Sequence, residues 1–173
     1  MVTFTADNGA IIDANCTTNA AGECSVNVTN TTAGATNISV NISDGELKNS
    51  PLVVTFTSAE ASAANSTLSV VSNGALADGS AQNKVSVTIL DTQGNPVASE
   101  PVSFTASNGA TIDTSCVTAA DGKCEVNLVS TVAGQTDVSA TINGTVISNS
   151  PIALNFSALA AEASQSTLSI IVD

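Results

Sequence analysis

From Lys84 to Leu90 apolar and polar positions alternate without a break, with Val85, Val87 and Ile89 on one side and Ser86 and Thr88 on the other. A side-chain period of two belongs to a β-strand with one buried face. The pattern returns at short intervals. Val102 and Phe104 alternate with Ser103 and Thr105, and Cys124, Val126 and Leu128 alternate with Glu125 and Asn127. Thr136 to Ile142, Ile152 to Phe156, and Ser66 to Val71 (Leu68 and Val70 inward) read the same way. Towards the start, Val2 and Phe4, then Cys24, Val26 and Val28, then Ile38, Val40 and Ile42, then Leu52, Val54 and Phe56 supply further inward faces. Turn dipeptides stand between these runs, among them Asp44-Gly45, Asn73-Gly74, Asp78-Gly79 and the stretch Asp91-Thr92-Gln93-Gly94-Asn95-Pro96. About seven short strands per unit, parted by Gly, Asn, Asp and Pro, describe an antiparallel sandwich of two sheets.

The strands belong to a duplicated unit. Val2 and Phe4 match Val102 and Phe104, Asn49-Ser50-Pro51 matches Asn149-Ser150-Pro151, and Ser66-Thr67-Leu68-Ser69 matches Ser166-Thr167-Leu168-Ser169, always 100 positions apart. Residues 1–60 are then the back part of a repeat, 61–160 a complete repeat, and 161–173 the first strand of a following one. The linker Ser58–Ala64 has room for one helical turn and no stable helix. Its brevity predicts neighbouring domains stacked end to end. Residues 1–60 hold no counterpart of Asn65 to Glu100, and so none of the central Lys84–Leu90 strand. Two accounts fit: a stretch taken from a longer polymer, or donation of the trailing Ser166–Val172 strand to the next molecule. Donation restores only one of the two absent strands, which favours the longer polymer.

Composition narrows the function. Three Lys, no Arg and fifteen acidic residues give a net charge of −12. Nucleic acid needs a basic footprint, and an anionic membrane surface repels such a chain. No apolar run of about 18 residues is present to insert into a membrane as a helix. His, Trp and Tyr are absent. Without imidazole, Ser-His-Asp and Cys-His arrangements are excluded, and no catalytic residues and no cofactor are expected.

Each repeat carries two cysteines, Cys16 and Cys24, then Cys116 and Cys124, with a Gly turn between the members of each pair. Disulfides within each repeat suit an oxidising compartment. The rival reading is zinc, but two cysteines per domain without His do not make a four-ligand site. Each disulfide is expected as a local loop staple and not as a bridge between the sheets. Asp91, Asp113, Asp121 and the linker residues Glu60 or Glu162 could offer oxygen ligands to calcium, although the dense Asp spacing of a dedicated loop is missing. Lys48, Lys84 and Lys123 lie in loops or at a strand edge, away from the core position a Lys–Asn cross-link needs. Asp13 and Asp113 recur in both repeats as loop residues, which points to the fold and not to hydrolysis. Candidate glycosylation acceptors of the form Asn-x-Ser/Thr stand at Asn15, Asn27, Asn30, Asn37, Asn41, Asn65, Asn143 and Asn155, and chance abundance of these residue types also explains them.

Ser66-Thr67-Leu68, the Ala77-Asp78-Gly79 turn, Val85-Ser86-Val87-Thr88-Ile89 and Asp91-Thr92-Gln93-Gly94-Asn95-Pro96-Val97 together resemble the bacterial immunoglobulin-like domains of group 1. Val102-Ser103-Phe104-Thr105, Asn108-Gly109-Ala110 and Ala133-Gly134 extend the resemblance over the chain. Such modules form the extracellular rods of intimin, invasin and related adhesins. The resemblance implies an all-β chain of tandem immunoglobulin-like sandwiches, exposed on the cell surface, with a structural or adhesive role and no catalysis. Neither a lectin-like tip nor an outer-membrane barrel segment is seen. Two functions follow from it. The repeats are a passive stalk or filament whose partners are neighbouring repeats, or the sandwich surface itself binds a host-cell protein or glycan. No exposed aromatic cluster or basic patch marks a binding face, which favours the stalk.

Overall fold

The computed structural model describes residues 1–161, 167–169 and 171. Glu162 lies outside the described residues, as do Ser166, Ile170 and Val172 of the expected trailing strand. All regular structure among the described residues is β. In the first repeat β1 (Val2–Ala6), β3 (Asn15–Cys16), β5 (Gly34–Ile42) and β6 (Gly45–Glu46) form a sheet in the order β3-β1-β5-β6. β7 (Leu52–Phe56) pairs with β5, and β2 (Ile11–Ile12) pairs with β4 (Val28–Thr29) alone. In the second repeat β8 (Thr67–Ser72), β9 (Asn83–Thr88), β11 (Thr111–Ile112) and β13 (Lys123–Val129) make one sheet, ordered β11-β13-β9-β8. Facing it, β10 (Pro101–Ala106), β12 (Ser115–Val117), β14 (Gly134–Ile142) and β15 (Thr145–Val146) run β12-β10-β14-β15, with β16 (Ile152–Phe156) paired to β14.

The alternation assigned to β9 holds: Val85, Val87 and Ile89 are fully buried and Ser86 and Thr88 half-buried. Their partners across the sandwich are Val102, Phe104, Val138, Ala140, Leu154 and Phe156, all in one core. Two Asn side chains tie the layers. Asn83 is buried, accepts from the Ala75 N–H and donates to the Asn155 carbonyl across the sandwich. Asn149 grips β8 with both ends of its amide, accepting from Leu68 N–H at 2.8 Å and donating to Leu68 C=O at 2.6 Å.

Several expectations are corrected. The disulfide Cys116–Cys124 is close in sequence, but Cys116 sits on β12 of one sheet and Cys124 on β13 of the other, so it joins the two layers at their edge. The Gly turn between the cysteines is what carries the chain from one sheet to the other. In the first repeat Cys16 on β3 is bonded to Cys24, which lies in no strand. Val70 was placed inward with Leu68, yet it is 43% exposed. β8 is the edge of its sheet, and a register shift between Val70 and Ser72 carries the chain away from the covered face. Finally, of the strand expected from Cys24 only Val28–Thr29 forms, paired with Ile11–Ile12, whereas its counterpart β13 pairs along β9.

Ile142 and Ile147 are 2% and 1% exposed, and Ile42 and Leu47, read as their counterparts, 40% and 42% exposed. Leu52, read as inward, is largely exposed beside a groove lined by Val40, Leu47, Asn49 and Ser50. Gly122 has φ +72°, and a Cβ there would stand 2.6 Å from the Ile89 carbonyl oxygen; Gly22 has φ +82° with nothing within 4 Å. Gly122→Ala is expected to destabilise the second repeat by more than about 2 kcal/mol, since strained backbone and overpacking combine. Thermal unfolding of the variant checks this.

Candidate interdomain joint

Asp91 ends the central run of the second repeat and opens the turn that the sequence marked. Asp at the first turn position binds the backbone two residues on, and Gly supplies the positive φ that follows. Here the Asp91 Oδ1 accepts from Gln93 N–H at 2.9 Å and Asn95 N–H at 2.8 Å, and Gly94 takes φ +88°. The Asp91 side chain is fully buried. Its second oxygen faces the linker and accepts from Ala59 N–H and from the Asn95 amide, both at 2.9 Å. The Asn65 amide donates to the Asp91 carbonyl, and Ser62 N–H donates to Leu90 C=O at 2.8 Å. The linker closes one helical turn, Ser66 N–H to Ser62 C=O at 3.0 Å, as its Ala content allows.

Asn95 carries the contact into the first repeat. Its Oδ1 accepts from Ala33 N–H and its Nδ2 donates to Thr31 C=O, each at 2.9 Å. Thr31 and Ala33 belong to the loop between β4 and β5. One carboxylate thus holds the linker and orients one carboxamide, which holds the preceding repeat. A polar groove of about 200 Å³ runs along this contact, lined by Thr31, Ala33, Phe56, Ala59, Asp91 and Asn95.

Burial opposes the charge on Asp91, and the N–H donors from Asn95, Ala59 and Gln93 outweigh it, holding the carboxyl down to about 2. A carboxyl depressed in the fold stabilises it above its unfolded value of about 3.9, and that contribution is lost as pH falls through the folded value. The joint is expected to keep its geometry from neutral pH to about pH 4 and to loosen between about pH 4 and pH 2. Distances between labels on the two repeats, followed by pulsed spin resonance across that range, check this. Loosening already at pH 6 would contradict it.

The other candidate residues are dispersed. Asp113 accepts from Asn127 N–H at 3.1 Å, and Asp13 accepts from Asn27 N–H at 3.4 Å, the same loop contact in both repeats. Asp121 accepts from Lys123 N–H inside its own turn. Among the described residues no three His, Cys, Asp or Glu side chains gather as a metal site would need. All the acceptors Asp91 offers at the joint already face N–H donors. Lys84 pairs with Glu125 at 3.0 Å on the sheet surface. Lys48 and Lys123 are exposed, and Glu60 is an exposed linker residue. Of the Asn-x-Ser/Thr acceptors, Asn30, Asn37, Asn65 and Asn143 use their amide nitrogens on Thr36, Asp7, Asp91 and Glu100. Asn15, Asn27, Asn41 and Asn155 donate no side-chain hydrogen bond among the described residues.

Comparison with known proteins agrees with this architecture. The profile of the bacterial Ig-like domain (group 1) matches residues 65–157. The chain belongs to this family. It is 31% identical over 149 residues to the inverse autotransporter adhesin YeeJ of Escherichia coli K12, covering 83% of the chain and 6% of that much longer protein. InvD of Yersinia pseudotuberculosis shares the fold with a TM-score of 0.74 at 22% identity, over 97% of this chain and 50% of that one. Invasin, described as a bacterial integrin-binding protein, aligns with a TM-score of 0.54 at 27% identity, over 91% of this chain and 32% of its own. The chain therefore spans half or less of each of these relatives.

Sequence reasoning found the Asp91–Pro96 turn and weighed Asp91 as a calcium ligand, but gave the turn no part in joining the repeats. Asn95 was missed. The available signal was its position: an Asn held in a tight turn directly after the cleanest strand pattern, within reach of a very short linker.

Proposed function

We propose that the chain is a non-catalytic segment of a bacterial cell-surface adhesin, in which Ig-like repeats divided near residues 60 and 160 stack into a stiff stalk. The carrying observation is the joint: Asp91 and Asn95 fasten linker and preceding repeat by hydrogen bonds at 2.9 Å, so the linker does not act as a free tether. Membership of the bacterial Ig-like domain family and a relative such as the adhesin YeeJ support the surface location. The stalk spaces whatever lies at its end from the cell, and its disulfides hold each sandwich shut outside the reducing interior. Exposed acceptors such as Asn15 and Asn27 would tolerate a glycan without touching the joint.

A narrow inter-repeat distance distribution, unchanged by added host-cell proteins, is the result expected of a stalk. The competing reading, in which the sandwich itself binds a host protein, draws on invasin, an integrin-binding protein of the same fold. Binding of residues 61–160 to integrin or to cell-surface glycans would establish that reading instead. A broad, linker-like distance distribution would overturn the stiff stalk.

A further inference from the structure

We propose that the far end of the second repeat is a socket of the same design as the joint, and that its occupant is the Asp-x-x-Gly-Asn loop of a further repeat of this kind following in the same chain. The inference rests on the stalk reading and deepens it by naming what the end of a repeat recognises.

The hydrogen bonds that the first repeat and Ala59 offer to the Asp91 and Asn95 side chains are all from backbone groups: Ala33 N–H, Thr31 C=O and Ala59 N–H. A backbone socket depends on the path of the chain and not on the side chains lining it. That path is copied in the second repeat. Gly34 and Gly134 start the nine-residue strands β5 and β14 with φ of 124° and 118°. Asn8 and Asn108, both at φ 53°, stand beside these glycines in the same way. Thr131, Val132 and Ala133 therefore take the places of Thr31, Thr32 and Ala33. Neither Ala133 N–H nor Thr131 C=O has a hydrogen-bond partner among the described residues, whereas Ala33 and Thr31 both have Asn95.

Two further observations select the occupant. Ser166-Thr167-Leu168-Ser169 repeats Ser66-Thr67-Leu68-Ser69 at the 100-residue spacing, and the Ala-rich stretch before it matches the first linker in length and at Ala61 and Ala63, so a following repeat is placed at the same short distance. Val132, Leu159 and Leu76 are 46%, 57% and 45% exposed at this end of the repeat, an apolar rim with no cover of its own. Ala59 leaves its side chain exposed in the first joint, so the larger Leu159 fits at the equivalent place. Charge also fits. In a chain of net charge −12 two repeat ends repel each other, and the loop meets the socket with its one carboxylate turned inward onto N–H donors and a neutral amide in front.

Amide hydrogen exchange tests the proposal. Residue 173 is equivalent to residue 73, so extending the 173-residue chain by a copy of residues 74–160 completes a third repeat. The Ala133 amide is expected to exchange at least about tenfold more slowly in the extended chain. It should return to its original rate when the third copy's equivalent of Asn95 is replaced by Ala. Equal exchange of Ala133 with and without the extension, with Ala33 still protected, overturns this inference and leaves the stalk reading standing. Rapid exchange at both overturns the stiff joint as well. Protection of Ala133 in the unextended chain that rises with concentration would name a second copy as the occupant and also overturn the proposal.

Discussion

Phe104→Ala is expected to lower the stability of the second repeat by about 3–5 kcal/mol, the range for truncating a buried Phe. Phe104 is almost wholly buried on β10, opposite Ala140 on β14, so the only residue directly across the sheet is too small to fill the space it leaves. The neighbouring sheet gives a sharper test of side. Val87 is fully buried between Leu68 and Cys124, and Val87→Asp would strand a carboxylate in the core with no donor, enough to unfold the repeat. Ser86→Asp, one residue earlier, meets solvent and Glu125 directly opposite, and should cost no more than about 1 kcal/mol. Thermal unfolding monitored by circular dichroism distinguishes them. Equal losses at positions 86 and 87 would show that the assignment of faces is wrong.

The second large effect belongs to Asp91. Asp91→Ala removes the acceptor for two N–H groups of its own turn, for Ala59 N–H and for the Asn95 amide. Leaving such donors unpaired in a buried place should cost about 2–4 kcal/mol in the second repeat and broaden the distance distribution between repeats. Asn95→Ala separates these consequences. It deletes only the bonds to Thr31 and Ala33 and that to Asp91 Oδ2, so the joint should loosen while the unfolding temperature of the second repeat moves little. Loss of stability without loosening for Asp91→Ala, or no loosening for Asn95→Ala, would confine both residues to the turn.

How much of this was legible beforehand follows from the range of each interaction. Strand positions, inward faces and the repeat were readable because period-two burial and turn chemistry are local, and the duplication showed each pattern twice. Val85, Val87, Ile89, Val102 and Phe104 are buried as the alternation requires. The pairing of the cysteines was readable too, since eight residues of separation leave each one partner in reach. Which layers that bond joins was not. Sheet membership is decided by which distant strands pair, and β12 lies against β10 while β13 lies against β9. Val70 went astray for the same reason: alternation says which side a residue faces, and only the neighbouring layer says whether that side is covered. Asn83, Asn95 and Asn149 look alike in a chain rich in Asn. Tertiary structure alone gave them their tasks, because an amide becomes a tie only when folding brings an unpaired donor and acceptor to its two ends. The sequence by itself determined the sandwich, its repeat and its core; the packing of one layer on another, and of one repeat on the next, decided where those pieces are fastened.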